Sequence, residues 1–361
     1  MNLTSYLNNC ATLCEEYMNK VQTNHIEPEE LKRGTLEYFK RGGKRLRPAI
    51  LMLCAGALGG EDAEREAISA ACAVELFHTF TLIHDDIIDN DPTRRGGESV
   101  HVLVSNLFKN TEDDKNKRDE YGRDIAILSG DMLHALSVKL MLDTAKCTKF
   151  SPKTVLEITS LLENECLAHV LKGEALDTRA GLIGNGSFNV GTFEETYEIM
   201  DKKTAMLFSF AATVGGMLGL DTDDKNDPSV KHLAQFARLC GIAFQIQDDV
   251  LGICADEKKL GKPIGSDIRE GKKTLILQHA YKNASPQDKR LIETVVGNKN
   301  ATGEQINAVK EVFIKTGAVE NAKKIAEEYI QKALEELTSL DNSHYLNILK
   351  EWAVFMSDRT L

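Results

Sequence analysis

The chain has 361 residues, enough for one large domain or two, and its 44 Lys and Arg against 55 Asp and Glu give a net charge of −11. This charge argues against general binding to nucleic acid or to anionic membranes. The eight cysteines show no CxxC pair or disulfide-like spacing, and there is no signal peptide or apolar run of ~20 residues. We therefore expect free thiols, no transmembrane segment and a cytoplasmic location.

Helical patterns cover nearly the whole chain, which has only seven Pro and no lasting strand-like alternation. Residues 1–40 are amphipathic and divided at Pro28, and the Gly42–Pro48 segment breaks the chain before an apolar helix. Further helices are predicted over Ala63–Asp89, Ile125–Asp143, Pro152–Thr178, Phe193–Leu218, the segment that ends at Asp248-Asp249, and, in alternation with polar turns, Thr274–Leu361. The sequence predicts one all-α domain spanning residues 1–361.

The predicted loops are polar and rich in Gly, Asn and Asp. They cover Asp91–Gly97, Lys109–Arg123, Gly181–Gly191, Asp221–Pro228 and Gly261–Gly271. Lys109–Arg123 has no hydrophobic periodicity, so it predicts a mobile surface insertion.

The stretch Phe77–Asp91 begins as an apolar helix and ends in a cluster of carboxylates. Asp85 and Asp89 are four residues apart, which places their Cβ atoms on one helix face roughly 5–6 Å apart, with Asp86 just off that face. Two carboxylates this close repel each other unless they share a cation, and oxygen ligands suit Mg²⁺. On its own this pattern is equally typical of a solvated acidic helix end.

A second apolar helix, Gly241–Gly252, also ends in paired carboxylates. Gln245 lies about one turn before Asp248, and Asp249 follows directly. Two acidic helix ends that face each other would form a binuclear or trinuclear metal site for a diphosphate.

These two elements resemble the first and second aspartate-rich motifs of the trans-isoprenyl diphosphate synthases. That family condenses allylic diphosphates with isopentenyl diphosphate. The resemblance implies a bundle of long helices around a central apolar cavity, a homodimer, and three Mg²⁺ ions per active site. It implies that Asp85, Asp89 and Asp248 bind the metal and that Asp86 assists through water or hydrogen bonds.

The resemblance also assigns the basic residues, which are weak signals as bare patterns. A basic turn is more often solvated, and His78 alone is more typical of a buried core histidine. The diphosphate of isopentenyl diphosphate would be bound by Lys44, Arg47, His78 and Arg95. The allylic diphosphate or its reacting carbon would be contacted by Arg94, Lys203, Thr204, Gln245, Lys262 and Lys272.

Two motifs depart from the family pattern. Gly173–Asp177 resembles the family's GQxxD element, but Glu174 replaces the usual Gln. The second acidic motif commonly ends in Asp, where this chain has Gly252, which removes the carboxylate one turn after Asp248. Asp256 is a candidate to compensate, and Mg²⁺ also tolerates water ligands.

Product length is predicted from the helix before Asp85. Phe80 lies roughly 7.5 Å and Phe77 about 12 Å below Asp85, at 1.5 Å per residue. An aromatic Phe80 beside the small Thr81 resembles the geranylgeranyl-forming pattern, so a C20 product is expected. A C15 farnesyl product stays open, because other walls of the pocket contribute.

Two other functions are compatible with parts of this pattern. A class I terpene cyclase shares the helical fold and one acidic motif, but it would not need the Lys44–Arg47 cluster for a second diphosphate. A non-catalytic partner subunit of an active synthase would be expected to have lost one acidic motif. Both motifs are present here apart from Gly252, which favours the synthase.

Overall fold

The computed structural model describes residues 2–182, 188–254 and 265–357, and these residues are almost entirely helical. The first helices are α1 (Leu3–Met18), α2 (Glu29–Lys40), α3 (Leu46–Glu66), α4 (Ile68–Ile88), α5 (Val100–Leu107) and α6 (Lys115–Asp143). The next are α7 (Pro152–Leu161), α8 (Leu167–Leu182), α9 (Phe193–Ile199), α10 (Met206–Leu220) and α11 (Pro228–Cys254). The last are α12 (Ser266–Glu270), α13 (Leu275–Asn283), α14 (Pro286–Val295), α15 (Gly303–Lys315), α16 (Ala318–Glu336) and α17 (His344–Ser357). The all-α prediction is confirmed.

Shorter elements join some of these helices. One π-helical turn, Leu162–Cys166, connects α7 to α8, and a second, Met200–Ala205, connects α9 to α10. Between α4 and α5, the predicted loop forms a small antiparallel hairpin, β1 (Thr93–Arg94) and β2 (Gly97–Glu98), in which Arg94 pairs with Gly97. All eight cysteines lie in the described residues and are free, as predicted.

The chain divides into two compact units. The first unit comprises Met1–Glu165, Phe210–Leu233 and Asn342–Leu349, and the second comprises Cys166–Ser209, Ala234–Asp341 and Lys350–Leu361. The prediction of one domain over residues 1–361 stays a prediction.

Helix α4 lies in the core of the first unit. It packs against α1, α3 and α6, and a run of buried small residues, including Ala70, Ala71 and Ala73, allows close approach along its first half. Further along, a Cβ built on Gly130 of α6 would lie 2.2 Å from Nε2 of His84. Any side chain at position 130 would therefore require the His84 ring to move.

The second unit has an aromatic core. The Phe208 ring contacts the Phe244 ring and the Trp352 indole edge-on, each with ring centroids 5.6 Å apart, and Phe236 packs 6.0 Å from the same indole. Nearby, a Cβ built on Gly241 would lie 2.7 Å from Cα of Ala205. This glycine lets α11 approach the π-helical turn that carries Lys203 and Thr204.

The start of α4 was predicted too early. The structure ends α3 at Glu66 and begins α4 at Ile68, and the two helices meet at an angle of 87°. Within α3, Gly60 has a φ of 75°, which interrupts the helical backbone. The residues from position 63 to Glu66 therefore belong to α3 and not to α4, the helix that carries Asp85.

The prediction of a mobile insertion over Lys109–Arg123 was wrong in its second half. Asp114 caps α6, which begins at Lys115 and includes the polar segment. Tertiary contacts explain the helix: the Tyr121 ring packs edge-on against Phe108, with centroids 5.2 Å apart, and a Cβ on Gly122 would lie 2.2 Å from the His101 carbonyl oxygen. One side of this polar helix is thus held against α5.

Two helical stretches are long and apolar enough to cross a membrane by length and composition. They are Lys115–Lys146 and Phe193–Leu220, and the bent pair α3–α4 would be a third if it formed one span. Half of the most apolar window of the first stretch, and two thirds of that of the second, is buried within the protein. The absence of a transmembrane segment therefore stays a prediction.

Candidate active site

The first acidic motif lies at the end of α4 in the first unit. The Asp89 N–H donates to the Asp85 carbonyl at 2.8 Å, so the two residues are one helical turn apart on one face, as their spacing predicts. The helix ends there because Asn90 adopts a left-handed φ of 55°, a conformation that Asn tolerates better than most residues.

Asp86 lies in a different environment from its neighbours. Its side chain is buried and accepts hydrogen bonds from the Tyr38 hydroxyl and from Nε of Arg94, the latter at 2.7 Å. The Tyr38 hydroxyl in turn accepts the Val100 N–H at 3.1 Å. Burial raises the pKa of Asp86, and the bonds from Arg94 and Tyr38 oppose that rise. Asp86 thus organises the motif from inside the protein.

Arg94 lies among the carboxylates of this motif. Its guanidinium is 3.2 Å from the Asp91 carboxylate and 3.6 Å from that of Asp85. Arg41, at the end of α2, donates to the carbonyl oxygens of Arg94 (2.9 Å) and Glu98 (2.7 Å) and so fixes both strands of the hairpin.

Arg95 forms the tip of the same hairpin. Arg95 and Gly96 have φ values of 52° and 72°, the pattern of a two-residue type I′ turn. A left-handed arginine costs about 1–2 kcal/mol, and two contacts hold it: its guanidinium donates to the Tyr38 carbonyl at 2.6 Å and lies 3.2 Å from the buried Glu75 carboxylate.

Glu75 also binds Arg45, a residue that the sequence did not single out. The Arg45 guanidinium lies 2.5 Å from Glu75 and 2.7 Å from the Phe39 carbonyl, and it stacks over the Phe39 ring. Both side chains are almost fully buried. A signal for Glu75 was available, because it is a single carboxylate within the otherwise apolar run Ala70–Phe77.

The predicted isopentenyl diphosphate residues all belong to the first unit. Lys44 is exposed and Arg47 half-buried, on either side of Arg45. Burial, followed by the positive charges of Arg47 and Arg95, holds the pKa of His78 well below its usual range. His78 is therefore a neutral imidazole, and the positive charges of the two arginines disfavour its protonation.

The predicted product-length residues pack towards α6. Phe77 and Phe80 are buried, with ring centroids 5.4 Å apart. Each also contacts His134 of α6, at 6.1 Å and 5.4 Å respectively, and Nε2 of His134 lies 3.0 Å from the Glu163 carboxylate. Thr81 is half-buried and donates to the His78 carbonyl.

The second acidic motif lies near the end of α11 in the second unit. The Gln245 side chain accepts a hydrogen bond from the Thr204 hydroxyl at 2.7 Å and donates to Asp249 at 3.0 Å. Burial raises the pKa of Asp249 to about 8, with a further contribution from the negative charge of Asp267. A cation bound beside Asp249 would therefore favour the ionised form of its carboxyl group.

Lys203 pairs with both acidic residues of the GQxxD-like element. Its ammonium lies 2.6 Å from Asp177 and 2.9 Å from Glu174, so the Glu that replaces the usual Gln forms an ion pair with it. A Cβ on Gly173 would lie 2.3 Å from the Lys203 backbone nitrogen, so this glycine permits the contact. Arg238 of α11 fixes the same turn from the other side through a two-point ion pair with Asp201.

Four of the predicted substrate residues line one cleft of about 80 Å³ in the second unit. The polar residues of its lining include Asp177, Lys203, Thr204, Gln245, Asp249 and Lys272. The Lys272 ammonium lies 3.1 Å from Glu270 and 3.5 Å from Asp267. Lys262 and Asp256 lie outside the described residues.

Within the described ranges, no group of three or more His, Cys, Asp or Glu side chains is arranged to bind a metal ion by itself. The donors nevertheless suit Mg²⁺, which is often held by one or two carboxylates and completes its shell with water and substrate phosphate. Asp85 and Asp89 offer such a pair on one helix face, and Asp248 directly precedes the cleft residue Asp249.

The profile of one protein family, described as polyprenyl synthetase, matches residues 28–313. The chain belongs to this family. The match covers both acidic motifs and all the predicted substrate residues. The predicted isoprenoid-synthase type of all-α fold and the predicted prenyltransferase class are confirmed with it.

The chain is similar to several archaeal and bacterial members of the family. It is 37% identical to a geranylgeranyl diphosphate synthase of Saccharolobus solfataricus, over 90% of this chain and 88% of that one. Other relatives are named geranylfarnesyl diphosphate synthase. A solved geranylgeranyl pyrophosphate synthetase from Pyrococcus horikoshii superposes with a TM-score of 0.81 at 32% identity, covering 99% and 98% of the two chains. A polyprenyl synthase from Caulobacter crescentus, solved with calcium and isoprenyl diphosphate, gives a TM-score of 0.78 at 26% identity, covering 98% and 94%.

Proposed function

We propose that this polyprenyl synthetase condenses isopentenyl diphosphate with allylic diphosphates and releases geranylgeranyl diphosphate as its main product. The observation that carries the proposal is that each acidic motif lies beside cations that suit a diphosphate. Arg94 contacts the carboxylates of the first motif, and Lys203 and Lys272 line the cleft beside Asp249. The names and likeness of the relatives support the same activity.

We assign the two diphosphates to the two sets of basic residues. Lys44, Arg47, His78 and Arg95 bind isopentenyl diphosphate, and the neutral His78 donates a hydrogen bond without adding charge. The allylic diphosphate is contacted by Arg94, Lys203, Lys262 and Lys272. Arginine suits this role because its planar guanidinium donates two parallel hydrogen bonds to phosphate oxygens.

Asp85, Asp89 and Asp248 hold magnesium, with three ions expected in the active site. Magnesium, when bound, neutralises the charge that develops on the departing diphosphate. The Caulobacter crescentus polyprenyl synthase was solved with calcium and isoprenyl diphosphate, which supports a divalent cation in this chain as well.

The chain's own residues then direct the reaction. Lys203, Lys272 and Arg94 stabilise the leaving diphosphate as the allylic C–O bond breaks. The Thr204 hydroxyl and the Gln245 amide, which are hydrogen-bonded to each other, present their dipoles to the electron-deficient carbon. The double bond of isopentenyl diphosphate attacks that carbon, and the departed diphosphate removes the proton.

Phe80 and Phe77 set the product length in this proposal. Both rings are buried on α4 against His134 of α6. A growing prenyl chain that runs along α4 from Asp85 would meet Phe80 first, after roughly 7.5 Å. The small Thr81 leaves space beside that ring, which favours C20 over C15.

We further propose that two copies of the chain form a homodimer in the cytoplasm. Helix α6 supports the dimer, because it exposes Ile127, Leu128 and Leu142 at 44%, 50% and 43% of their surface. A protein contact on this helix would remove these apolar side chains from water.

The decisive experiment is incubation of the purified protein with Mg²⁺, isopentenyl diphosphate and dimethylallyl, geranyl or farnesyl diphosphate, with products separated by length. Geranylgeranyl diphosphate as the main product supports the proposed reaction and the role of Phe80. A C15 or C25 end point would retain the reaction and contradict the role of Phe80. No elongation from any primer would favour the alternative that the chain is a non-catalytic partner subunit. Gly252, which replaces the last Asp of the second acidic motif, is the observation that supports this alternative.

A further inference from the structure

Gly252 lies one helical turn after Asp248 on α11, where the second acidic motif lacks its last carboxylate. A Cβ built on Gly252 would lie 2.9 Å from Oδ2 of Asp267, closer than a carbon and an oxygen atom normally pack. The space beside position 252 is therefore filled by a carboxylate from a residue that is 15 positions later in the chain.

The local backbone holds Asp267 at this place. Asp267 lies in α12, and its carbonyl oxygen accepts the N–H of Lys272 at 3.0 Å. The helix ends at Gly271, whose φ of 71° turns the chain back. The same turn places Lys272, a predicted ligand of the allylic diphosphate, 3.5 Å from Asp267.

We propose that Asp267 supplies the carboxylate that Gly252 does not, and acts with Asp248 on the magnesium–diphosphate complex. This inference rests on the proposed function. Only one carboxylate fits the space: an Asp at 252 would push its Cβ against Asp267 and place two negative charges together. The absence of a side chain at position 252 therefore provides the space that the Asp267 carboxylate occupies.

The test is a cycle of four proteins: wild type, Asp267→Ala, Gly252→Asp and the double variant. Magnesium-dependent binding of inorganic diphosphate is measured by calorimetry, and turnover is measured separately. Because loss of a group that supports a metal typically costs about 10–100-fold in affinity, Asp267→Ala is expected to weaken magnesium-dependent binding by that factor. The double variant should recover to within about threefold, because Gly252→Asp restores the carboxylate one turn after Asp248.

Glu270→Gln is the matched control, since Glu270 also pairs with Lys272 but does not lie within 4 Å of a Cβ built at position 252. An equal loss in Glu270→Gln and Asp267→Ala would assign the effect to Lys272 and overturn the proposal. A double variant no better than Asp267→Ala would overturn it as well. If Gly252→Asp does not fold, Asp267→Asn, which keeps the shape and removes the charge, replaces the cycle and must show the same loss.

The two proposals fail separately. Wild-type protein that makes no prenyl product but shows diphosphate binding that depends on Asp267 contradicts only the proposed function. Wild-type protein that elongates normally while Asp267→Ala binds magnesium and diphosphate unchanged contradicts only the inference about Asp267.

Discussion

The carboxylate of Glu75 lies 2.5 Å from the guanidinium of Arg45 and 3.2 Å from that of Arg95. One buried acid on α4 therefore holds two segments of the proposed isopentenyl diphosphate site: the turn with Lys44 and Arg47, and the tip of the hairpin.

We predict that Glu75→Gln destabilises the protein by about 3–5 kcal/mol, because it leaves the buried Arg45 without its counter-charge. Chemical denaturation measures this change. The Michaelis constant for isopentenyl diphosphate should rise more than that for the allylic substrate. Asp62→Asn, which removes an exposed ion pair with Arg65, is the control and should leave the unfolding midpoint unchanged. A Glu75→Gln protein as stable as the wild type would contradict the prediction.

Asp85→Ala and Asp248→Ala should each lower turnover by about 100-fold or more while leaving the helical content unchanged, because both remove a proposed metal ligand from a site that works by stabilising charge. Steady-state kinetics and circular dichroism measure the two effects. Near-normal turnover in either variant would refute the assignment.

Phe80→Ala should lengthen the products beyond C20, since it removes the first ring below Asp85. Chromatography of the prenyl chains gives the result. The loss of a buried ring also costs about 3–5 kcal/mol, so Phe80→Leu is a milder second variant. Phe108→Ala, which alters a ring that packs on Tyr121 of α6, is the control. An unchanged product spectrum in both Phe80 variants would show that other residues limit the length of the product.

His78 should remain neutral in the native protein below pH 6.5, because burial and the nearby arginines lower its pKa. The unfolded chain protonates this histidine below about pH 6.5, so the unfolded state binds more protons there. The His78 contribution to stability therefore falls as the pH decreases below 6.5 towards the lowered native pKa.

Urea unfolding at pH 7.5 and pH 5.5 tests this prediction. Wild type should lose more stability between the two values than His78→Gln does, whereas His25→Gln, at an exposed position, should behave as the wild type. An identical pH response in wild type and His78→Gln would be the contrary result.

Leu128→Lys should convert a dimer into a monomer, because it places a charge within the exposed apolar face of α6. Light scattering after gel filtration measures the mass. Leu156→Lys, on α7 and exposed at 63% of its surface, is the control and should leave the mass unchanged. A dimer that persists in Leu128→Lys would exclude this face as its centre.

Spacing along single helices was sufficient to predict much of the site. Asp85 and Asp89 share a face because they are four residues apart in a helix, and apolar periodicity located α4 and α11. The same reasoning failed at Lys115–Arg123, because that segment is polar throughout. Its helix is held by contacts with α5, such as the one at Gly122, which no local pattern reveals.

Only the tertiary structure decided how charges pair across distant segments. Glu75 is 30 residues from Arg45 along the chain, and Asp267 meets Gly252 from another helix. Periodicity describes which face of one helix a residue occupies, but these pairs depend on which helices pack together. The sequence alone therefore determined the chemistry of the protein, and the packing determined which carboxylate meets which cation.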